Sequence, residues 1–340
     1  MSFANHIQVG DRQVGPGRPV LIIAEAGVAH FGDPVKARDL VDLAADAGAD
    51  VFKTQAFHTD CLVSARSPEW RERLRPKEVD FDFLSRMKER CDEQGILFMC
   101  TPHEPSVLPW LDEWDVPAIK IGSGERGNTP FFREIASRGK PVILSTGMYA
   151  REHVDQALAV FSAAGVRELA MLHCVTSYPT PPSEVNLSAM QDLREGFNGP
   201  VGYSDHTEGH HICLAAVAMG AQIIEKHITL DFNIPNAQDW KVSCGPDDFS
   251  EFVRSVRDVE AARGRGGKIP RECEAPAFKW ALKSLVAARP LQAGHILSRS
   301  DLIAKRPGDG ISPAQIDALL GRALSAALAE DEAIEWSKLK

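Results

Sequence analysis

The sequence predicts a parallel (β/α)8 TIM barrel followed by a small, mostly β module. Eight short, β-rich apolar runs recur between residues 20 and 226, and amphipathic stretches separate them. Near residue 263 that alternation stops and short strands and turns take over. Length agrees: a barrel takes about 250 residues, and the 340 here leave room for a further small module.

The eight runs are 20–24, 50–53, 96–100, 118–121, 141–144, 168–172, 200–203 and 222–226. Helical patterns between them cover 33–47, 81–94, 151–164 and 208–219, with Pro34 suited to a first helical turn and Gly48, Gly95 and Gly165 at the stops. An open doubly wound sheet would carry a G-x-G-x-x-G fingerprint after its first strand, and none follows Ala24. Ahead of the barrel, 7–14 alternates around Gly10 and Asp11 and reads as a hairpin capping the barrel bottom. The expected organisation is a barrel with its hairpin over 1–262, a linker over 263–277 and the mostly β module over 278–340, with one helix near 313–320.

Composition narrows the function. A net charge of −9 argues against a nucleic-acid partner, which needs a basic face, but leaves room for an anionic small substrate held by a few local cations. No apolar run approaches the roughly 20 residues of a membrane span, and the N-terminus lacks a basic region followed by an apolar stretch, so no membrane partner and a cytoplasmic location are expected. Seven cysteines without a C-x-x-C pair read as reduced thiols rather than a disulfide framework or zinc knuckle.

Barrel chemistry sits at the C-terminal ends of the strands. Here those ends carry Glu25; Lys53 and Gln55; Thr101; Lys120, Ser123 and Glu125; Ser145 and Thr146; Thr176 and Tyr178; Ser204 and His206; and Glu225 and His227. Any one of these could be a solvated strand end, but together they resist that reading. Two lysines among hydroxyls and glycine turns can bind a phosphate, lysine supplying point charge and the hydroxyls and backbone N–H groups donating hydrogen bonds. His206 and His227 stand at matching depth on neighbouring strands, where both could reach one ion with Glu225 close by. Two histidines are too few for a closed structural zinc site, so an oxygen-rich shell completed by substrate and water fits better; Mn2+ suits it, with Mg2+ or Co2+ as alternatives. His58, His153, His210, His211 and His295 lack such company and read as ordinary.

Read in order, these strand ends resemble the sialic acid synthase family, enzymes that make nine-carbon 2-keto acids from phosphoenolpyruvate and a six-carbon amino sugar. The resemblance rests on Ala24-Glu-Ala-Gly27 with His30, Lys53-Thr-Gln55, Lys120-Ile-Gly-Ser-Gly-Glu125, Leu144-Ser-Thr-Gly-Met148, Leu172-His-Cys174 with Tyr178-Pro-Thr-Pro181, Gly202-Tyr-Ser-Asp-His-Thr207, Glu225-Lys-His227 and Lys305-Arg-Pro-Gly308. It implies that the tail from Phe278 is the family's antifreeze-like (SAF) domain, and that two chains form a domain-swapped homodimer in which Arg306 completes the partner's sugar site. It further implies that Lys53, Thr101, Lys120, Ser123, Thr176 and Ser204, with Ser145 or Thr146, bind phosphoenolpyruvate, and that His206 and His227 hold the metal. Glu25, Gln55, Tyr178, Asp239 and Arg306 would face the sugar, while Glu125 and Glu225, with Glu25, would manage protons or the attacking water.

Some positions depart from the family pattern. Ala29 stands where an Asn is usual, Thr176 replaces an Asn, Thr101-Pro-His103-Glu104 is unusual, and 234–239 replaces a shorter segment. These departures point to a substrate other than N-acetylmannosamine, such as a diacetamido-dideoxyhexose. Competing readings are another phosphoenolpyruvate-dependent 3-deoxy-sugar acid synthase, which needs a second basic cluster, a barrel metallohydrolase, which usually needs His-x-His after the first strand, and a non-catalytic sugar- or ice-binding protein.

Overall fold

The computed structural model describes residues 2–234, 237–264 and 266–340. Its contacts divide the chain into two units, 1–264 and 265–340. Pro235 and Asn236 of the departing 234–239 segment, and Arg265 of the expected linker, lie outside the described residues.

In the first unit the hairpin forms first along the chain, β1 (Ile7–Val9) pairing antiparallel with β2 (Arg12–Val14). Eight strands follow: β3 (Leu21–Gly27), β4 (Val51–Ala56), β5 (Leu97–Pro102), β6 (Ile119–Ile121), β7 (Val142–Ser145), β8 (Leu169–Cys174), β9 (Val201–Asp205) and β10 (Ile223–His227). They ladder in parallel in the order β5-β4-β3-β10-β9-β8-β7-β6, and β5 lies against β6 where the circle closes. Each matches one of the eight apolar runs. Most run further toward the C-terminal end than the apolar stretch does, because the polar residues there still make ladder hydrogen bonds.

Helices between the strands begin where local chemistry allows. Asp33 accepts from the backbone N–H groups of Val35 and Lys36 to start Pro34–Asp46, and Asp80 accepts from that of Phe83 to start Phe81–Gln94. Gly95, at φ +69°, ends the latter in the left-handed region that glycine enters without strain. Helix His211–Ala218 starts three residues later than its sequence pattern suggested.

Strand alternation then builds two cores. Outward residues such as Ile22, Phe52, Phe98, Leu144 and Ile224 pack beneath the helices, while Leu21, Ile23, Val51, Met99, Ile143 and Ile223 point inward. The inward set packs with Ile7, Val9 and Val14, so the hairpin does close the barrel floor.

In the second unit, β11 (Ser284–Ala287) pairs antiparallel with β12 (Leu302–Lys305) over a core that includes Leu285, Leu297, Leu324 and Ile334. Helix Ala275–Trp280 crosses the boundary expected at 278, and the helix expected near 313–320 is a 3-10 segment, Pro313–Ala318. All seven cysteines are free, and no helix among the described residues is long and apolar enough to cross a membrane.

Candidate active site

Two residues above the apolar floor, the same inward alternation delivers charged and polar side chains to the barrel mouth. They enclose a cavity of about 150 Å³. Of the residues expected from the sequence, Glu25, Lys53, Gln55, Thr101, Lys120, Ser123, Ser145, Thr176, Tyr178, Ser204, His206, Glu225 and His227 line it.

Two lysines and two glutamates form its buried centre. Lys53 Nζ lies 2.5 Å from Glu25 Oε2 and 3.6 Å from Glu225 Oε2, and donates to Thr101 Oγ1 at 3.0 Å. Lys120 Nζ donates to Ser145 Oγ at 2.7 Å and lies 3.3 Å from Glu225 Oε1, which also accepts from Ser204 Oγ at 2.9 Å. Burial works against charge on Lys53, yet Glu225 and Glu25 raise its pKa above the ordinary lysine value. For Lys120 burial wins, with Lys53 adding to it, and the pKa is lowered. Burial also opposes charge on Glu225, but Lys120, Lys53 and the Ser204 hydroxyl hold it below the usual carboxylate range. Lys53 thus sits within ion-pair reach of both glutamates and Lys120 within reach of Glu225, a chain of buried charges in which each depends on its neighbours.

The histidines occupy the neighbouring wall. His206 and His227 ring centroids are 5.4 Å apart, and Tyr178 lies 4.0 Å from the His206 ring. His206 Nδ1 donates to the Val175 carbonyl at 2.7 Å, which leaves the Nε2 lone pair free. His227 Nδ1 is buried without a hydrogen-bond partner. A free imidazole lone pair and a buried orphan nitrogen on facing rings fit a divalent cation. Glu225, expected close to such an ion, neighbours His227 while being engaged by the lysines and Ser204.

Gln55 Nε2 donates to Glu25 Oε1 at 2.9 Å, and Asp239 comes near the same pair across Gly27. Gly147 shows how tightly the loops converge: a Cβ there would lie 2.3 Å from Thr176 Oγ1 and 2.8 Å from Ser123 Oγ, and its N–H donates to that Ser123 oxygen.

The remaining expected residues lie elsewhere. Thr146 points away from the cavity and donates to the Leu172 carbonyl, and Glu125 turns to accept from Asn128 Nδ2 at 2.7 Å. Asp239 does not line the cavity itself. Arg306 belongs to the second unit, where it stacks over Trp280 and donates to the Ala281 carbonyl. Conversely, Cys174 lines the cavity with no role assigned to it above, and His103, noted above only as a departure from the family pattern bearing on the sugar, lines it as well. Their signal was parity: each lies an even number of residues beyond an inward strand position, Met99 and Leu172. Outside the cavity, His58 with Cys61 and Glu104, and His210 with Cys244 and Asp248, bring ligand-type atoms within 4.8 Å of one another, so two of the histidines read as ordinary have such company after all.

The fold and its mouth define a (β/α)8-barrel protein with a buried lysine–carboxylate centre beside a histidine pair, joined in sequence to a small β module. The chain belongs to the NeuB family, whose model matches residues 40–268, and a SAF domain matches residues 283–340. An N,N'-diacetyllegionaminic acid synthase of Campylobacter jejuni is 37% identical, the match covering 93% of this chain and 99% of that protein. A protein of the same name from Legionella pneumophila is 35% identical over 97% and 98% of the two chains. Among solved structures, the N-acetylneuraminic acid synthetase of Leptospira borgpetersenii superposes with a TM-score of 0.75 at 34% identity, covering 82% of this chain and 96% of that one.

Proposed function

We propose that this protein condenses phosphoenolpyruvate with the open-chain form of a six-carbon amino sugar, giving a nine-carbon 2-keto acid of the sialic, legionaminic or pseudaminic type and releasing phosphate. The observation that carries the reading is the cavity in which Lys53, Lys120 and six hydroxyl side chains stand beside the His206–His227 pair. The relatives' names support it.

In this reaction C3 of phosphoenolpyruvate forms a bond to the sugar aldehyde carbon, water adds at C2, and phosphate leaves by cleavage of its C–O bond. Lys53 and Lys120 offset the phosphate and carboxylate charges, and Thr101, Ser123, Ser145 and Ser204 offer hydrogen bonds that fix the anion's orientation. Glu225, held ionised, accepts a hydrogen bond from the incoming water and orients it toward C2, and the two protons of that water end on the new sugar-derived hydroxyl and on the released phosphate. Glu25 and Gln55, bonded to each other near Asp239, face the sugar. His206 and His227 would hold the divalent ion, Mn2+ ahead of Mg2+ or Co2+, which when bound supplies Lewis-acid polarisation of the sugar carbonyl. Glu125, bonded to Asn128 outside the cavity, is assigned no proton transfer. Two chains would pair, with Arg306 of one completing the other's sugar site; sedimentation of the full chain as a fully active monomer would remove that element.

The sugar favoured is a diacetamido sugar, on the motive of Ala29 and the altered loops at 101–104 and 234–239. The deciding measurement is phosphate release from phosphoenolpyruvate against a panel of amino sugars, with Mn2+ and with chelator. Release is expected only with metal, and faster with diacetamido sugars than with N-acetylmannosamine. No release with any amino sugar sinks the reaction, undiminished release in chelator sinks the metal, and faster release with N-acetylmannosamine sinks the sugar.

A further inference from the structure

His103 follows β5 at the cavity wall, and no element of the proposed reaction uses it. It lines the cavity with Lys53 and Lys120, and its Cε1 lies 3.6 Å from where a Cβ on Gly122 would be. Its ring rests edge-on against Phe57, with centroids 6.2 Å apart. Among the described residues neither ring nitrogen has a hydrogen-bond partner, and neither is a buried orphan: the half-buried ring keeps its nitrogens open to solvent or to a molecule in the cavity.

The surrounding charges explain what such a ring could do. Lys53 and Lys120 contribute two positive charges to the cavity, and Glu25 and Glu225 two negative ones, so the centre carries no net charge from its own side chains. A phosphoenolpyruvate trianion entering there would be undercompensated by these four side chains, and any ion held by His206 and His227 would offset only part of its charge. The titratable groups facing His103 are Lys53 from β4, Lys120 from β6 and, on its own loop, Glu104, whose oxygens are already engaged by His58 and Ser106.

We propose that His103, on the cavity wall with Lys53 and Lys120, is a third cation-capable group for the phosphate-bearing substrate, so that substrate capture takes up a proton. This rests on the phosphoenolpyruvate reading above and adds to it a binding residue and a proton linkage. In the empty cavity burial lowers the pKa of His103 to about 4, Lys53 and Lys120 adding to the effect, so near neutral pH it carries no charge. An anion within hydrogen-bond reach shifts the balance toward the imidazolium and supplies the acceptor the ring lacks. The sign follows: binding that takes up a proton tightens as pH falls from 8 to 7.

The test is calorimetric titration of the full chain, with Mn2+ present, by phosphoenolpyruvate and no amino sugar at pH 7, in two buffers of different ionisation enthalpy, so that proton uptake is read without turnover. His103→Phe keeps an aromatic ring against Phe57 and removes the titrating nitrogens, and His103→Gln keeps a donor that cannot titrate. Wild type is expected to take up more protons than either variant. Affinity should fall about tenfold in His103→Phe, the order expected for a lost charge-assisted hydrogen bond, and recover in part in His103→Gln. Equal proton uptake and affinity within about twofold in wild type and correctly folded His103→Phe overturn the role of His103 alone. Failure of wild type to bind phosphoenolpyruvate overturns the reaction and this role together.

Discussion

At the floor of the barrel, Ile23, Val51, Met99 and Ile143 meet Ile7, Val9 and Val14 of the hairpin; two residues further along the same strands, the inward positions carry Glu25, Lys53, Thr101 and Ser145. The backbone is the same in both layers and the alternation is unbroken. Only the side-chain chemistry changes. Each buried aliphatic side chain at the floor contributes about 1.5–3 kcal/mol to stability, whereas the mouth holds charges whose desolvation consumes most of what their pairing returns. A single strand therefore serves stability at one end and binding at the other, and substitutions two residues apart should fall into different classes.

The largest expected effect is at the mouth. Lys120→Met should lower kcat/KM for phosphoenolpyruvate by about a thousandfold, the upper range for one electrostatic contact to a reacting anion, while Glu225 keeps Lys53 and the Ser204 hydroxyl as partners, so the melting temperature falls less than in Lys226→Met; loss of the fold in this variant would break the contrast. Behind the mouth, on the outward face, Lys226 Nζ and Asp205 Oδ2 pair at 2.6 Å, both fully buried. Lys226→Met leaves Asp205 unpaired and should cost about 3–5 kcal/mol in denaturant unfolding.

That pair also sets a pH window. Burial opposes both charges, but pairing lowers the pKa of Asp205 from 3.8 and raises that of Lys226 from 10.5. The stability from Asp205 is present above its ordinary value and lost as pH falls through the lowered one. That from Lys226 is present below its ordinary value and lost as pH rises through the raised one. A wild-type stability profile lacking both limbs would remove the pair's role. The smallest effect belongs to the floor: Ile7→Ala should cost about 2–4 kcal/mol by leaving a cavity and leave KM for phosphoenolpyruvate within about twofold. A larger change in KM would show that floor and mouth are coupled.

Most of the barrel was legible because its strands are buried on both faces and so read as continuous apolar runs between turn residues. The floor hairpin was legible from alternation around Gly10 and Asp11. The site was legible where strand parity and polar identity agree, as at Lys53, Ser204 and His227. It was misread where the strand had ended. Ser123–Glu125 is a 3-10 turn, whose period of three sends Glu125 toward Asn128 rather than into the cavity. Thr146 has the wrong parity beside inward Ser145, and the same rule would have brought His103 in after Thr101. Arg306 shows the opposite case: its family motif is legible, but the role proposed for it would depend on a second chain, which sequence periodicity does not encode.

Gly147 brings no functional group to the cavity, yet the β6, β7 and β8 loops converge on the space where its side chain would be, with Thr176 and Ser123 at contact distance. Mutational scanning of this mouth should therefore find its least tolerant position at a residue with no chemistry. Efforts to reshape the substrate range have more latitude at Ala29 and in the 234–239 segment, where the chain already departs from the family pattern, than at the glycine that sets how closely the loops can meet.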